Sequence, residues 1–168
     1  MGLNSPKWSQ HLTMIILQPI GVVRNSRSDM RDDNWGGLAS TIELLPPLDG
    51  EALAGIDAFS HVEVLFHFHA TDPAKIVAGA RHPRNNVQWP RVGILAQRAK
   101  NRPNRLGSTI VRLLAVRGAT IEVAELDAID GTPVLDIKPV MREFLPRDEV
   151  VQPAWAGELM ARYWEPPT

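Results

Sequence analysis

The 168-residue chain contains no cysteine. Disulfides, thiolate nucleophiles and cysteine-based zinc or iron–sulfur sites are therefore excluded. Long hydrophobic runs are missing as well, because the apolar stretch at residues 14–17 breaks at Gln18-Pro19 and is too short for a signal or membrane-spanning segment. We expect a cytoplasmic protein with no membrane contact.

Glycine-rich nucleotide-binding fingerprints are also absent. The chain holds neither GxGxxG nor GxxxxGK followed by Ser or Thr, the spacings that place backbone amides around a pyrophosphate or a triphosphate. A Rossmann-type enzyme or an NTPase therefore has little support.

Acidic residues are missing from residues 73–121, a stretch that holds ten of the 18 lysines and arginines and that we term the basic segment. All 19 acidic residues lie outside it, so a formal net charge of −1 conceals two oppositely charged regions. Like charges gathered in one segment repel each other, and a packed core does not require them. We expect a polyanionic partner or a charged ligand there. The candidates for contacts to RNA phosphates are Arg81, Arg84, Arg91, Lys100 and Arg105.

The length fits one domain, and 14 prolines with 12 glycines favour short strands joined by turns. We expect a flexible N-terminal tail over residues 1–13 and a single domain over residues 14–168. The predicted strands are Ile15–Val23, Thr41–Leu45, His61–His69, Val92–Ala96, Thr109–Val116, Ala119–Leu126 and Val134–Ile137.

Two local patterns refine this fold. Arg117-Gly118 separates two β-branched runs and predicts a tight hairpin, with Gly118 taking the positive φ that such turns require. Residues 153–164 predict an amphipathic C-terminal helix that begins at Pro153. Six or so strands with few helices indicate a mainly β protein, a small antiparallel β-barrel with few helices and a C-terminal amphipathic helix.

Three groups of residues are candidates for chemistry. The loop Arg98–Gly107 displays charge between two predicted strands, although a turn of Asn, Pro and Gly can also be a plain basic surface turn. The stretch Asp127–Lys138 offers carboxylates for ribose hydroxyls or an ammonium group, or else ordinary turn chemistry and an ion pair. His61, His67 and His69 share one strand face, but no further ligand converges on them, so we predict no metal site.

Five segments resemble, in order and spacing, the TrmO-type (TsaA/YaeB-like) tRNA methyltransferases. The most specific pair is the RPN loop, which ends at Leu106-Gly107, followed by a segment that reads LDAIDGTPVLDIKP. The five segments are Pro19–Asn25, Ile56–His69, Arg91–Ala96, Arg102–Gly107 and Leu126–Pro139.

The resemblance implies a β-barrel enzyme that binds S-adenosylmethionine, forms a homodimer and methylates N6 of threonylcarbamoyl-adenosine beside the tRNA anticodon. It places Arg24 and His69 near the cleft. On chemical grounds a base could assist the acceptor nitrogen, and His69 or Asp136 could serve as that base. The cofactor-binding residues that it implies are Arg98, Arg102, Pro103, Asn104, Leu106, Gly107, Ser108, Asp130, Gly131, Thr132, Asp136 and Lys138.

The sequence also departs from the family pattern, with Gln97, Ala99 and Arg105 where the family commonly has Thr, Ser and Pro, and Val140 where it has Tyr. Two alternatives therefore stay open. One keeps the fold and the cofactor but methylates another RNA or a small molecule. The other is a non-catalytic RNA-binding or regulatory barrel.

Overall fold

A computed structural model describes residues 14–167 of the chain. The tail expected over residues 1–13 lies outside the described residues, so that boundary stays a prediction. The strands are β1 (Gly21–Arg24), β2 (Ala39–Leu44), β3 (His61–His67), β4 (Ala80–Arg81), β5 (Val92–Gly93), β6 (Leu106–Arg117), β7 (Thr120–Ala124) and β8 (Pro133–Pro139), and the α-helix is α1 (Ala154–Met160).

Six of the strands form a closed antiparallel barrel in the order β1-β2-β7-β6-β3-β8. The predicted mainly β barrel with a C-terminal helix is confirmed. Single 3₁₀ turns occupy several connections, at Gly50–Leu53, Ile56–Ala58, Pro73–Lys75, Pro83–Asn85, Ile94–Ala96 and Arg142–Phe144. Within residues 14–167 no helix has the length and apolar content needed to cross a membrane.

The barrel interior is filled from alternate positions of its strands. On β3, Val62, Val64 and Phe66 are buried, as the period-2 pattern predicts. Gly107 of β6 faces Phe66, and a Cβ there would lie 2.4 Å from the Phe66 ring. The absence of a side chain at Gly107 therefore makes room for a core phenylalanine, a packing role that sequence reasoning did not assign to it.

The β6–β7 hairpin confirms the predicted tight two-residue turn, but its residues are Gly118 and Ala119, one position later than Arg117-Gly118, because Arg117 still pairs with Thr120. Its Gly118 has φ +57°, and a Cβ there would have no neighbour within 4 Å. A side chain would have room here, so glycine is favoured only by the left-handed backbone conformation.

The first and the fourth predicted strand depart most from the structure, whereas the others differ by one to three residues at one or both ends. The first begins at Gly21 instead of Ile15, since Pro19 has no N–H to donate and pairing starts where the Ile20 N–H donates to the Val134 carbonyl at 2.8 Å. The predicted buried strand Val92–Ala96 is the two-residue β5 followed by a 3₁₀ turn, and it pairs with β4 outside the barrel. Only Ile94 of that run is buried, so one apolar anchor replaces a core strand.

The α-helix ends at Met160, earlier than the Trp164 expected from the sequence, and the chain then turns back against a loop of residues 34–36. The N–H groups of Asn34, Trp35 and Gly36 donate to carbonyls of residues 162, 163 and 165 at 2.8–3.1 Å. A Cβ on Gly36 would lie 2.1 Å from the Trp164 carbonyl oxygen, so the two backbones are in close contact. We refer to residues 152–165 as the C-terminal segment.

Candidate active site

An open cleft of about 1350 Å³ lies between the barrel, the basic segment and the C-terminal segment. The barrel contributes residues of β3 and β6 and the turn before β8. The basic segment contributes residues 95–104, and the C-terminal segment covers the remaining side with residues of α1 and the turn after it. Pockets that bind small ligands usually enclose roughly 300–1,000 Å³, so the cleft has room for a nucleoside and part of a second substrate.

The RPN loop is a tight turn fixed to the end of β3. The Arg105 N–H donates to the Arg102 carbonyl at 3.0 Å, and the Phe68 N–H donates to the Arg105 carbonyl at 2.8 Å. Arg105 adopts φ +50°, a left-handed conformation that is uncommon for a residue with a side chain. Because both ends of the turn are tied to backbone, the side chains of Arg102, Pro103 and Asn104 enter the cleft from a fixed frame.

The turn before β8 reaches the same cleft. Thr132 and Ile129 line it, and the position that a Cβ on Gly131 would take is 4.0 Å from Nε2 of His69. The RPN loop and the DGT turn therefore converge, with His69 next to the second of them. The predicted cofactor and base residues that line the cleft are His69, Arg98, Arg102, Pro103, Asn104, Leu106, Gly107, Ser108 and Thr132. Three of the predicted RNA contacts line it too, namely Arg81, Arg84 and Lys100.

Asp136 and Lys138 do not line the cleft. They form an ion pair with each other on β8, and Lys138 lies opposite Glu63 of β3 in register. The hydrogen bond to Asp136 raises the pKa of Lys138. Glu63 does line the cleft and accepts a hydrogen bond from the Ser108 hydroxyl at 2.5 Å, so Glu63 links this ion pair to the site.

Asp130 and Gly131 stay just outside the cleft wall. The Asp130 carboxylate accepts the Asn25 N–H at 3.2 Å, and the Asp130 N–H donates to the Arg27 carbonyl at 2.7 Å. Gly131 has φ +77°, as the turn requires. Their observed contacts hold the turn in shape.

Asp127 is a third carboxylate of the cleft, besides Asp32 and Glu63. Sequence reasoning offered the stretch Asp127–Lys138 as a candidate but did not assign Asp127 itself to the cofactor site. One of its oxygens accepts the Thr109 hydroxyl, and the other accepts the Tyr163 hydroxyl at 2.5 Å. Burial, with the Asp127 charge next, raises the pKa of Tyr163 well above its usual value. The Tyr163 contact joins residues 36 positions apart, a distance in sequence over which no local pattern gives a signal.

The histidines of the β3 face separate in the structure. His69 lines the cleft, whereas His67 lies beside Arg105, and burial together with the Arg105 and His69 charges lowers the pKa of His67. Between residues 14 and 167 no three His, Asp or Glu side chains gather in a way that could hold a metal ion. His69 is the imidazole that lines the cleft.

Two cations of the basic segment, Arg84 and Lys100, are paired with acidic side chains of residues 29–33. The Arg84 guanidinium makes two hydrogen bonds of 2.7 and 2.8 Å to Asp33, and Nζ of Lys100 lies 2.5 Å from Asp32. Arg105 donates to the Thr71 carbonyl, at 3.2 Å. The acidic loop at residues 29–33 is thus one partner of the basic segment. The two regions are far apart in sequence, so this contact was not predicted.

Tryptophans line one side of the cleft. Trp155 and Trp164 contribute from the C-terminal segment, while Trp35 is buried beneath the Arg27 guanidinium, 3.6 Å from its ring centroid. Trp89 donates its indole N–H to Glu158 at 2.7 Å and so fastens the basic segment to α1. These roles depend on contacts between residues that are distant in sequence, so they could not be predicted from the sequence around each tryptophan.

Residues 31–144 match the family model described as the tRNA-methyltransferase O N-terminal domain. The chain is 34% identical over 143 residues to a "Probable S-adenosyl-L-methionine-binding protein" of Pyrococcus abyssi, a match that covers 82% of this chain and 74% of that protein. It is also 36% identical over 105 residues to the tRNA (adenine(37)-N6)-methyltransferase of Escherichia coli, covering 60% of this chain and 44% of the relative.

A solved structure of a protein with the same family name also resembles this chain. The crystal structure of TrmO from Pseudomonas aeruginosa superposes with a TM-score of 0.67 at 32% identity, covering 82% of this chain and 61% of that chain. The chain thus spans less than two thirds of that structure and of the Escherichia coli relative, and three quarters of the Pyrococcus protein.

Proposed function

This chain belongs to the tRNA-methyltransferase O N-terminal domain family, and we propose on that basis that it is a cytoplasmic, S-adenosylmethionine-dependent tRNA methyltransferase. The acceptor would be N6 of threonylcarbamoyl-adenosine beside the anticodon. The observation that carries the proposal is the convergence of the RPN loop and the DGT turn on one cleft of about 1350 Å³.

The side chains around the cleft fit a methyl donor of this kind. Arg98, Arg102 and Asn104 offer donors, and Thr132 offers a hydroxyl. Asp127 adds a carboxylate suited to hydroxyls or an ammonium group. Polar groups that converge on a largely preformed cavity are what a small charged cosubstrate requires.

S-Adenosylmethionine supplies, when bound, a methyl group on a positively charged sulfur, which needs no covalent help from the protein. The chain's own contribution is therefore positioning, and well-oriented reactants account for several kcal/mol of a barrier, up to roughly 7–11 kcal/mol in model systems. As the acceptor nitrogen forms its bond to carbon it must lose a proton. His69 is the imidazole that lines the cleft and can accept that proton.

The acceptor side of the proposal rests on the indoles of Trp155 and Trp164. Both line the cleft, and within residues 14–167 neither indole N–H donates to another protein group. Stacking of a nucleobase on an aromatic ring contributes roughly 1–3 kcal/mol per base. A flipped adenine would thus find a stacking surface that belongs to the C-terminal segment, outside the residues that match the family model.

Calorimetric titration with S-adenosylmethionine tests the cofactor. Asn104→Ala and Arg102→Ala should weaken binding, whereas Gln88→Ala, at an exposed position outside the cleft, should not. Absence of heat from the unaltered protein at millimolar ligand would refute the proposed cofactor.

Incubation with labelled cofactor and total tRNA from cells that lack their own enzyme tests the acceptor. Label in the threonylcarbamoyl-adenosine of tRNA is expected. Cofactor binding without labelled tRNA would favour the alternative acceptor, which the departures at Gln97, Ala99 and Arg105 motivate. Salt-sensitive tRNA binding without cofactor affinity would favour the non-catalytic barrel, which the basic segment motivates.

We also propose that the protein is a homodimer. The family resemblance supports this, and so do apolar side chains left in solvent, among them Phe144 and Val151, each 86% exposed. Light scattering after size exclusion should return twice the mass of one chain. A single-chain mass at tens of micromolar would contradict the dimer.

A further inference from the structure

Arg81 has a donor atom that the protein leaves without a partner. Its side chain lines the cleft, and its Nε is buried and makes no hydrogen bond to any described residue. A buried donor without a partner costs roughly 1–3 kcal/mol, so such groups in native proteins usually meet water or a ligand. The hydroxyl of Thr71, on the same cleft, is also buried and unpartnered within residues 14–167.

Gln97 joins Arg81 to the RPN loop. It is only 7% exposed, and its side-chain nitrogen donates to the carbonyls of Arg81 and Val92 at 3.2 and 3.0 Å. The Gln97 carbonyl in turn accepts Nη1 of Arg102 at 3.2 Å. One buried glutamine therefore lies between two arginines, and both arginines line the cleft.

Neither arginine has an acidic partner among residues 14–167. Arg84 and Lys100, on the same segment, are paired with Asp33 and Asp32. The carboxylates that line the cleft already have other donors: Asp32 has Lys100, Glu63 has Ser108, and Asp127 has Thr109 and Tyr163. The protein thus neutralises the neighbouring cations but leaves the charges of Arg81 and Arg102 uncompensated beside a cavity.

We propose that Arg81 and Arg102 bind the carboxylate of an amino-acid group on the ligand. A guanidinium presents its N–H donors in a planar fork that matches the two oxygens of a carboxylate. Among residues 14–167 the Arg81 guanidinium donates to no protein group and its Nε is buried, and Arg102 keeps the donors that Gln97 does not use. The inference rests on the proposed function, because that function brings two such carboxylates to the cleft, one on the methionine moiety of the cofactor and one on the threonylcarbamoyl group of the acceptor.

Paired ligands that differ only in the carboxylate separate the two sources. One pair is S-adenosylmethionine and its decarboxylated form, titrated calorimetrically. The other pair is an anticodon stem–loop with threonylcarbamoyl-adenosine and the same RNA with plain adenosine, followed by fluorescence anisotropy. Each ligand is measured with the unaltered protein, with Arg81→Gln, with Arg81→Lys and with Arg112→Gln, an exposed arginine of the same segment outside the cleft.

Arg81→Gln should lower the affinity for one carboxylate-bearing ligand by about 10-fold or more, because charge-assisted bidentate hydrogen bonds are strong. The affinity for its carboxylate-free counterpart should change by less than about 2-fold. Arg81→Lys should recover part of the loss, because the charge stays while the fork is lost. The pair that shows the difference identifies the source. Arg112→Gln should reduce RNA binding equally with and without the modification.

Two results would overturn the inference. In the first, Arg81→Gln and Arg81→Lys, with unfolding temperatures close to that of the unaltered protein, affect both members of each pair equally. In the second, the unaltered protein binds the two members of each pair, with and without the carboxylate, with equal affinity. Failure of the proposed function looks different: the unaltered protein would not bind S-adenosylmethionine in any form, and the RNA pair would then decide the carboxylate site alone.

Discussion

At the scale of single residues, the cleft depends on a few hydrogen bonds between distant parts of the chain. Asp127 holds the hydroxyl groups of Thr109 and Tyr163, and so connects β6 to the C-terminal segment. Arg27 donates to the carbonyls of Arg31, Asp33 and Asn34 at 2.7–2.9 Å and fixes the loop on which that segment rests. These contacts position the cleft walls.

Tyr163 allows a direct measurement of this arrangement, because it is the only tyrosine of the chain. Its pKa is raised by burial and by Asp127, so the folded protein retains the phenolic proton at a pH where the unfolded chain loses it. The stability from this site is fully present below a pH of about 10 and declines as pH rises beyond it. Absorbance at 295 nm should show no tyrosinate near pH 10.5 while the protein is folded, and clear tyrosinate at the same pH in urea.

Two variants complete this titration. Tyr163→Phe should lower the unfolding temperature at neutral pH and remove the absorbance change altogether. Asp127→Asn should bring the titration of Tyr163 closer to pH 10, because the neighbouring negative charge is gone. Titration of the folded, unaltered protein with a midpoint near 10 would contradict the buried contact.

Gly107 is a residue for which packing, and not a turn, forbids a side chain. The Cβ of Gly107→Ala would lie 2.4 Å from the ring of the buried Phe66, so one of the two must move. Overpacking of this kind costs about 1–3 kcal/mol in the free energy of unfolding. Chemical denaturation should show that loss for Gly107→Ala and little change for Gly93→Ala, whose Cβ would meet nothing within 4 Å.

At the scale of secondary-structure elements, the hairpin between β6 and β7 rests on the left-handed conformation of Gly118, φ +57°. An alanine there meets no steric neighbour, so its whole cost is backbone strain of roughly 1–2 kcal/mol. Equilibrium unfolding of Gly118→Ala should report that decrease. Gly79→Ala is the matched control, since its added Cβ is also free of neighbours and its φ is outside the left-handed region. Equal stability of the two variants would contradict the argument.

Elements with strong local patterns were predictable from the sequence. The alternation of β3 and the turn at Gly118 follow from side-chain period and backbone preference, both of which act between near neighbours. The apolar run at Val92–Ala96 has no period that distinguishes a strand from a turn, and Gln97 fixes its shape by reaching Arg81, 16 residues earlier. The RPN loop was recognisable as a motif, whereas the cleft also needs Asp127 and the C-terminal segment, which only the fold brings to it.

At the scale of the whole molecule, the separation of charge along the chain has two consequences. Part of it closes the fold, since the acidic loop at residues 29–33 pairs with Arg84 and Lys100. Another part enters the cleft with Arg81, Arg98 and Arg102. The remaining cations of the basic segment are Lys75, Arg91, Arg105, Arg112 and Arg117, of which Arg117 lies 3.8 Å from Glu122.

The salt dependence of RNA binding should therefore be weaker than the sequence alone indicates. Ten phosphate contacts to single-stranded RNA would give a slope of log K against log salt of about −7, whereas four or five give about −3. Anisotropy titrations of an anticodon stem–loop between 50 and 300 mM salt measure it. Asp33→Asn removes both hydrogen bonds of Arg84 and leaves it only a 3.8 Å contact with Asp32, so it should steepen the slope by up to about 0.7, the amount that one further phosphate contact adds. Asp148→Asn, at an exposed site without an ion pair among residues 14–167, should raise affinity slightly and leave the slope unchanged. A slope near −7 for the unaltered protein would mean that RNA displaces Asp32 and Asp33 from their partners, and that the acidic loop opens when RNA binds.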